Sequence, residues 1–155
     1  MPLDALVRSL PNGACPLSTV ATAGQISPAQ VAAIKAAGVK TVVDMRAASE
    51  PRGFDEPAVI RAAGMEYIAI PVTPVTLTDA VYEQFLAVMR DPARRPILVH
   101  CASSNRVGGL LLPYFILDER LAEPEALKLA QEAGLRSPEY AAMGLDYARR
   151  HKPAG

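Results

Sequence analysis

Cys101 and Arg106 stand with four residues between them, in the segment His100-Cys101-Ala102-Ser103-Ser104-Asn105-Arg106. The apolar run Pro96-Ile97-Leu98-Val99 precedes it and Val107-Gly108-Gly109-Leu110-Leu111-Leu112 follows. The pattern predicts a buried strand, a short polar loop, and then a helix. An ordinary cysteine titrates near pH ~8.5, so little of it is thiolate at neutral pH. Three effects favour the anion at Cys101: loop amides turned inward as a nest, the N-terminus of the following helix, and the Arg106 charge. The same donors suit a tetrahedral oxyanion, and a planar guanidinium can grip two of its oxygens. The chemistry implied is nucleophilic. Cys101 attacks phosphorus, a thiophosphoryl enzyme forms, and water hydrolyses it. Candidate phosphate-binding positions are Ala102, Ser103, Ser104, Asn105, Arg106 and Val107, with His100 supporting the loop by hydrogen bonds. A buried structural thiol is the plain alternative for Cys101. Against it, a first-turn arginine opposes the helix dipole unless an anion sits there.

The elements that must position this loop alternate between strand and helix patterns. Leu17 to Ala23 reads as a first strand. Ser27-Pro28-Ala29-Gln30 starts a helix that runs to about Gly38, with a cap serine, an early proline and a glutamine three residues after the cap. Val39 to Met45 reads as a strand, Asp55 to Ala63 as a helix, and Met65 to Val72 as a strand. Asp79 to Arg90 has the apolar spacing of an amphipathic helix. Ile97 to His100 reads as the last strand. Helices are expected at about Arg106 to Leu117, Pro124 to Ala133 and Pro138 to Arg150. The alternation predicts an α/β fold in three layers: a mostly parallel sheet of four to five strands flanked by helices, with a helical C-terminal half. In such sheets ligands bind beyond the carboxyl ends of the strands, near Asp44, Thr73 and Cys101.

With 155 residues, half of them hydrophobic, the chain can bury one real core, and residues 1–155 read as a single domain. Lysine plus arginine and aspartate plus glutamate both number 16, so no basic face for nucleic acid is expected. No apolar run reaches membrane-spanning length. The opening residues Met1 to Arg8 lack the basic-then-apolar pattern of a secretory signal. Two cysteines, Cys15 and Cys101, are too few for a disulfide scaffold or a zinc cluster. The expectation is a cytoplasmic protein that needs no metal or cofactor. Cys15 reads as a packed or exposed thiol, with a disulfide to Cys101 as the alternative, and His151 as solvated.

The Cys101 loop resembles the signature of the protein tyrosine and dual-specificity phosphatases, in which His-Cys, five residues and Arg follow one another. Further motifs resemble a bacterial branch of that superfamily. They are Gly24-Gln25-Ile26-Ser27-Pro28, Ala37-Gly38-Val39-Lys40-Thr41-Val42-Val43-Asp44-Met45-Arg46, and Gly64-Met65-Glu66-Tyr67-Ile68-Ala69-Ile70-Pro71-Val72. The resemblance runs from Thr22 to about Leu117. It implies the phosphatase fold, Cys101 as nucleophile, Arg106 as phosphate clamp, and a phosphorylated protein or small phosphoester as substrate.

Three departures from that pattern stand out. The loop has four intervening residues rather than five. Val107 replaces the usual Ser or Thr whose hydroxyl helps expel the cysteine in the second step. Thr73 occupies the place of the aspartate that acts as general acid. Asp79 is the nearby substitute, with Asp44 and Asp55 as further candidates, and Asp79 also reads simply as a first-turn residue of its helix. The short loop also resembles rhodanese-type sulfurtransferases, which would carry a persulfide on Cys101. A phosphate-binding pseudophosphatase is the non-enzymatic alternative. The natural substrate and the oligomeric state have no readable signal.

Overall fold

The computed structural model describes residues 2–152. Along the chain come α1 (Pro2–Val7), β1 (Ala14–Leu17), β2 (Val20–Ala23), α2 (Pro28–Ala36), β3 (Thr41–Asp44), α3 (Glu56–Ala62), β4 (Glu66–Ala69) and α4 (Asp79–Met89). A 3-10 turn (Pro92–Arg94), β5 (Ile97–His100), α5 (Asn105–Leu117), α6 (Glu123–Glu132) and α7 (Pro138–His151) follow. The five strands lie in the order β1-β2-β5-β3-β4. β5 pairs in parallel with β2 and β3, β3 pairs in parallel with β4, and only β1 is antiparallel. The expected α/β architecture with a helical C-terminal half is therefore what forms.

Alternation along the buried strands builds the three layers. In β5, Ile97 and Val99 pack with Phe85, Leu110, Leu111, Phe115 and Tyr147 from α4, α5 and α7. Leu98, on the opposite face, packs with Leu3, Leu6, Val31, Ile34 and Ile60 from α1, α2 and α3. Val43 and Val42 divide in the same way. A strand with both faces covered carries a continuous apolar run, as Ile97-Leu98-Val99 does. β5 is central, so its carboxyl end opens at the middle of the sheet edge, where crossovers leave a crevice.

One local expectation changes and one element is added. The segment Leu17 to Ala23 is not one strand: the chain reverses at Ser18-Thr19, and Leu17 pairs with Val20 across the turn. Ser18-Thr19 lacks Gly, Pro, Asn and Asp and is a weak turn signal, and the half-buried β1 covers the edge of β2. α1 is an element to which the sequence patterns give no assignment. Leu3, Leu6, Val7 and Leu10 are buried at helical spacing, and they close the lower core.

Candidate active site

β5 delivers His100 and Cys101 to the sheet's carboxyl edge. Cys101 is 1% exposed, its N–H donates to the Ala23 carbonyl at 3.3 Å, and Gln25 N–H donates to the Ala102 carbonyl at 3.1 Å. The loop is thus stitched to the end of β2. Its far side is clamped by the C-terminal helices. Ser104 is buried in the left-handed conformation with φ 68°, and its hydroxyl donates to the Ala133 carbonyl at 2.6 Å. Gly134 packs so close that a Cβ there would come within 2.6 Å of Ser104 Cβ. Asn105 Oδ1 accepts from the Arg136 and Ser137 amides at 2.7 and 3.0 Å, and the Arg136 guanidinium donates to the Ser103 carbonyl at 2.9 Å. The side chains of Ser104 and Asn105 are therefore committed to the scaffold. No side chain caps α5, and the first amides of a helix lack intrahelical acceptors. Backbone N–H groups and the Ser103 hydroxyl, which bonds to no described residue, are what this loop has to offer an anion.

Arg106, in the first turn of α5, donates from Nη1 to Glu50 Oε2 at 2.7 Å and from Nη2 to Glu50 Oε1 at 2.8 Å. Nη1 also donates to the Val72 carbonyl at 3.2 Å. The end of the guanidinium is thereby pinned. Its Nε–H and the second Nη2–H have no partner among the described residues. Those two parallel donors form the edge that matches a bidentate oxyanion. Glu50 is held in turn by the Ala47 amide at 2.6 Å and Arg46 Nε at 3.1 Å. Its hydrogen bonds from Arg106 first, then Ala47 and Arg46, outweigh partial burial and bring its pKa to about 2. The pairing with Glu50 raises the Arg106 pKa.

Beneath the loop lies a buried polar floor. His100 Nε2 meets Glu56 Oε2 at 2.5 Å, and Glu56 Oε1 accepts from Gln25 Nε2 at 2.9 Å. Asp44 accepts from Arg52 Nε and the Tyr67 hydroxyl, each at 2.6 Å, and from the Arg46 amide at 2.9 Å. Burial works against ionisation of Asp44, but the bond from Arg52, then His100 and Tyr67, takes its pKa below the ordinary carboxylate range. Burial and the same bond push the Tyr67 phenol up. Asp44, Glu56 and His100 are fully buried, with oxygen and nitrogen atoms within 4.8 Å of one another, a spacing a metal ion could use. Each carboxylate oxygen already accepts from a protein group, so the cluster reads as a hydrogen-bond network supporting the loop. His100 belongs to that floor, in keeping with a supporting role.

The candidate acids fall elsewhere. Asp79 is bound by both terminal nitrogens of Arg150 at 2.7 and 2.8 Å, and that bond lowers its pKa. A carboxylate held deprotonated in this way is a poor proton donor. Asp55 caps α3, accepting from the Ala58 amide, and Asp44 is locked in the floor. Thr73 is engaged with Thr76, hydroxyl to hydroxyl at 2.8 Å. Cys15 and Cys101 are both free thiols, and Cys15 lies on β1 against the lower core. His151 is exposed, and its ring stacks on Tyr147 at 4.0 Å between ring centroids. Sequence reasoning missed Glu50 and the Asn105–Arg136–Ser137 clamp. The signal for Glu50 was slight: an Arg46/Glu50 spacing in a segment without helical pattern.

The family model described as "DSP-PTPase phosphatase fused to NAD+ Kinase" matches residues 17–117, about two thirds of the chain. The chain belongs to this phosphatase family. The "Beta-lactamase hydrolase-like protein" of Agrobacterium fabrum (strain C58) is 32% identical over 103 residues, which cover 64% of this chain and 23% of that protein. The chain thus matches about a quarter of that relative's length. Among solved structures, a DUF442 phosphatase candidate from Shewanella putrefaciens CN-32 superposes with a TM-score of 0.80 at 20% identity, covering 96% of this chain and 99% of the other. Tk-PTP in its active form gives 0.78 at 16% identity, covering 91% and 98%. TpbA of P. aeruginosa gives 0.70 at 22% identity, covering 91% and 85%. These likenesses show the cysteine-based phosphatase fold. Among the described residues, no helix is long and apolar enough to cross a membrane.

Proposed function

We propose that this family member is a metal-independent phosphomonoesterase of the protein tyrosine/dual-specificity type, residues 1–155 forming one catalytic domain that works in the cytoplasm. The observation that carries the reading is the Arg106 guanidinium. Glu50 takes its terminal face and leaves a two-donor edge beside the Cys101 loop. A TpbA variant was crystallised with phosphotyrosine, which supports a phosphorylated protein or small phosphoester as substrate here.

In the first step the Cys101 thiolate attacks phosphorus. The S–P bond forms, the P–O bond breaks, and the leaving oxygen takes its proton from solvent. In the second, water adds to phosphorus, the S–P bond breaks with its electron pair on Sγ, and the water proton passes to solvent. Loop amides and Arg106 hold the three equatorial oxygens throughout, where charge is spread in the transition state.

With Thr73 in the acid's place and Asp79 tied to Arg150, the leaving group departs largely unassisted. Aryl phosphates should therefore turn over well and alkyl phosphates slowly. The rate should fall steeply as the leaving-group pKa rises across a series of substituted phenyl phosphates. A flat series would show that a general acid is at work.

The first test is hydrolysis of an aryl phosphate in the presence of a metal chelator. Vanadate should inhibit it, Cys101→Ser should abolish it, and rapid quenching should trap a phosphoryl adduct on Cys101. Full activity after Cys101→Ser would sink the reading. The four-residue spacing favours one rival, sulfur transfer. That rival predicts thiosulfate-to-cyanide transfer and a persulfide mass shift on Cys101. Oxyanion binding with no turnover over a wide panel would identify a pseudophosphatase.

A further inference from the structure

Val107 leaves the anion cradle without the hydroxyl expected next to the arginine, and it is fully buried in the core. α7, which packs along α5, carries another hydroxyl, that of Tyr140. Three contacts set the course of that helix. The Ser137 amide, at its start, bonds to Asn105 at the start of α5. Tyr140 lies on Gly109, where an added Cβ would come within 3.0 Å of Tyr140 Cβ. Gly144 lies on the Gly109 carbonyl and Pro113, with 3.1 and 3.2 Å to an added Cβ. Residue numbers rise together along both helices, so α5 and α7 run side by side in the same direction. Helical side chains lean toward their own N-terminus. From its seat on Gly109, the Tyr140 ring therefore leans back along α5 toward Arg106 and the Cys101 loop.

The state of Tyr140 fits that direction. The residue is 7% exposed, and its hydroxyl oxygen, which bonds to no described residue, keeps access to solvent. Burial raises its pKa; Arg106 opposes the rise, while Cys101, Glu139 and Glu50 add to it. The phenol thus feels the charges of the cradle and remains a protonated donor at neutral pH. A phenol donor that is open to solvent and paired to no protein group is free to take an anion in the cradle as its partner.

We propose that the Tyr140 hydroxyl is a catalytic donor of the anion cradle, supplied from α7 in place of the hydroxyl that Val107 lacks. It donates to Cys101 Sγ or to the bound oxyanion, and it matters most when the thiolate is expelled in the second step. The kinetic part of this inference rests on the phosphatase reading; the binding part does not.

Tyr140→Phe tests it, because the ring and its packing stay and only the oxygen goes. Three readouts are expected to change. Hydrolysis of an aryl phosphate should show kcat lowered about tenfold, the loss of one hydrogen bond to an anion. KM should fall with it, and a burst of released phenol should reveal phosphoryl enzyme accumulating. Alkylation of Cys101 by iodoacetate at pH 6 should slow several-fold, and vanadate should bind several-fold more weakly. The melting temperature should not fall, since the hydroxyl bonds to no protein group. Unchanged kcat, alkylation rate and vanadate affinity in Tyr140→Phe would overturn the proposal, as would a loss of melting temperature that accounts for the changes. If the unaltered protein hydrolyses no phosphoester, the phosphatase reading fails by itself. Alkylation and vanadate binding then still decide Tyr140.

Discussion

Two arginine–carboxylate pairs in this protein have almost the same geometry. Arg106 meets Glu50 through both terminal nitrogens at 2.7 and 2.8 Å; Arg150 meets Asp79 the same way at 2.7 and 2.8 Å. Their surroundings differ. The side chains of the first pair are 15% and 26% exposed, those of the second 47% and 46%. The first pair sits between a loop amide, a backbone carbonyl and a thiol-bearing loop, and the guanidinium keeps an open edge. The second spans α4 and α7 in solvent, and Arg150 also meets Asp146 one turn earlier on its own helix. Distance alone does not separate these two pairs. Desolvation and the donors left unpaired do.

That contrast can be broken by substitution. Arg106→Lys keeps the charge and loses the planar fork; kcat/KM should fall about 100-fold or more, since charged hydrogen bonds in a desolvated site are worth several kcal/mol. Arg150→Lys should leave kcat/KM within about twofold, as expected for an exposed pair. Comparable losses in the two variants would erase the distinction. The floor beneath the loop extends the comparison to full burial. Glu56→Ala strands His100 and Gln25, and it should destabilise the fold by about 3 kcal/mol, measured by urea unfolding.

Glu50→Gln should weaken vanadate binding about tenfold, because an amide holds the guanidinium less firmly than a carboxylate does. The matching change, Asp79→Asn, should leave kcat and its pH profile unaltered. A lost basic limb in that profile would instead make Asp79 the general acid.

The smallest effect is in acid. The Glu50 pKa is depressed to about 2 by Arg106, below an unfolded value near ~4.3. Its stabilising contribution is therefore complete above that unfolded value and is lost as pH falls from there toward 2. Carboxyl chemical shifts followed by NMR should place the Glu50 midpoint in the lower part of that window. A midpoint near the unfolded value would mean that the pair does not hold in solution.

Much of this was legible beforehand because it is local. Val39 to Met45 and Ile97 to His100 could be placed as central strands, since a strand covered on both faces must be apolar throughout. The Cys101 loop could be recognised because a strand, a polar loop and a helix in succession need only adjacent residues. What stayed hidden joins positions far apart in the chain. Glu50 reaches Arg106 across 56 positions, Glu56 reaches His100 across 44, and the Ser137 amide reaches Asn105 across 32. No periodicity records such meetings. The nearness of Asp79 in sequence to the expected acid says nothing of Arg150, which lies 71 positions on.

By itself the sequence determined the layer architecture, the strand that carries Cys101, and the family, through short-range hydrophobic patterning and contiguous motifs. Only the tertiary structure decided which charges meet and which edge of Arg106 stays open. Those depend on side-chain direction and desolvation, which exist only once helices from the two ends of the chain have packed on the same sheet.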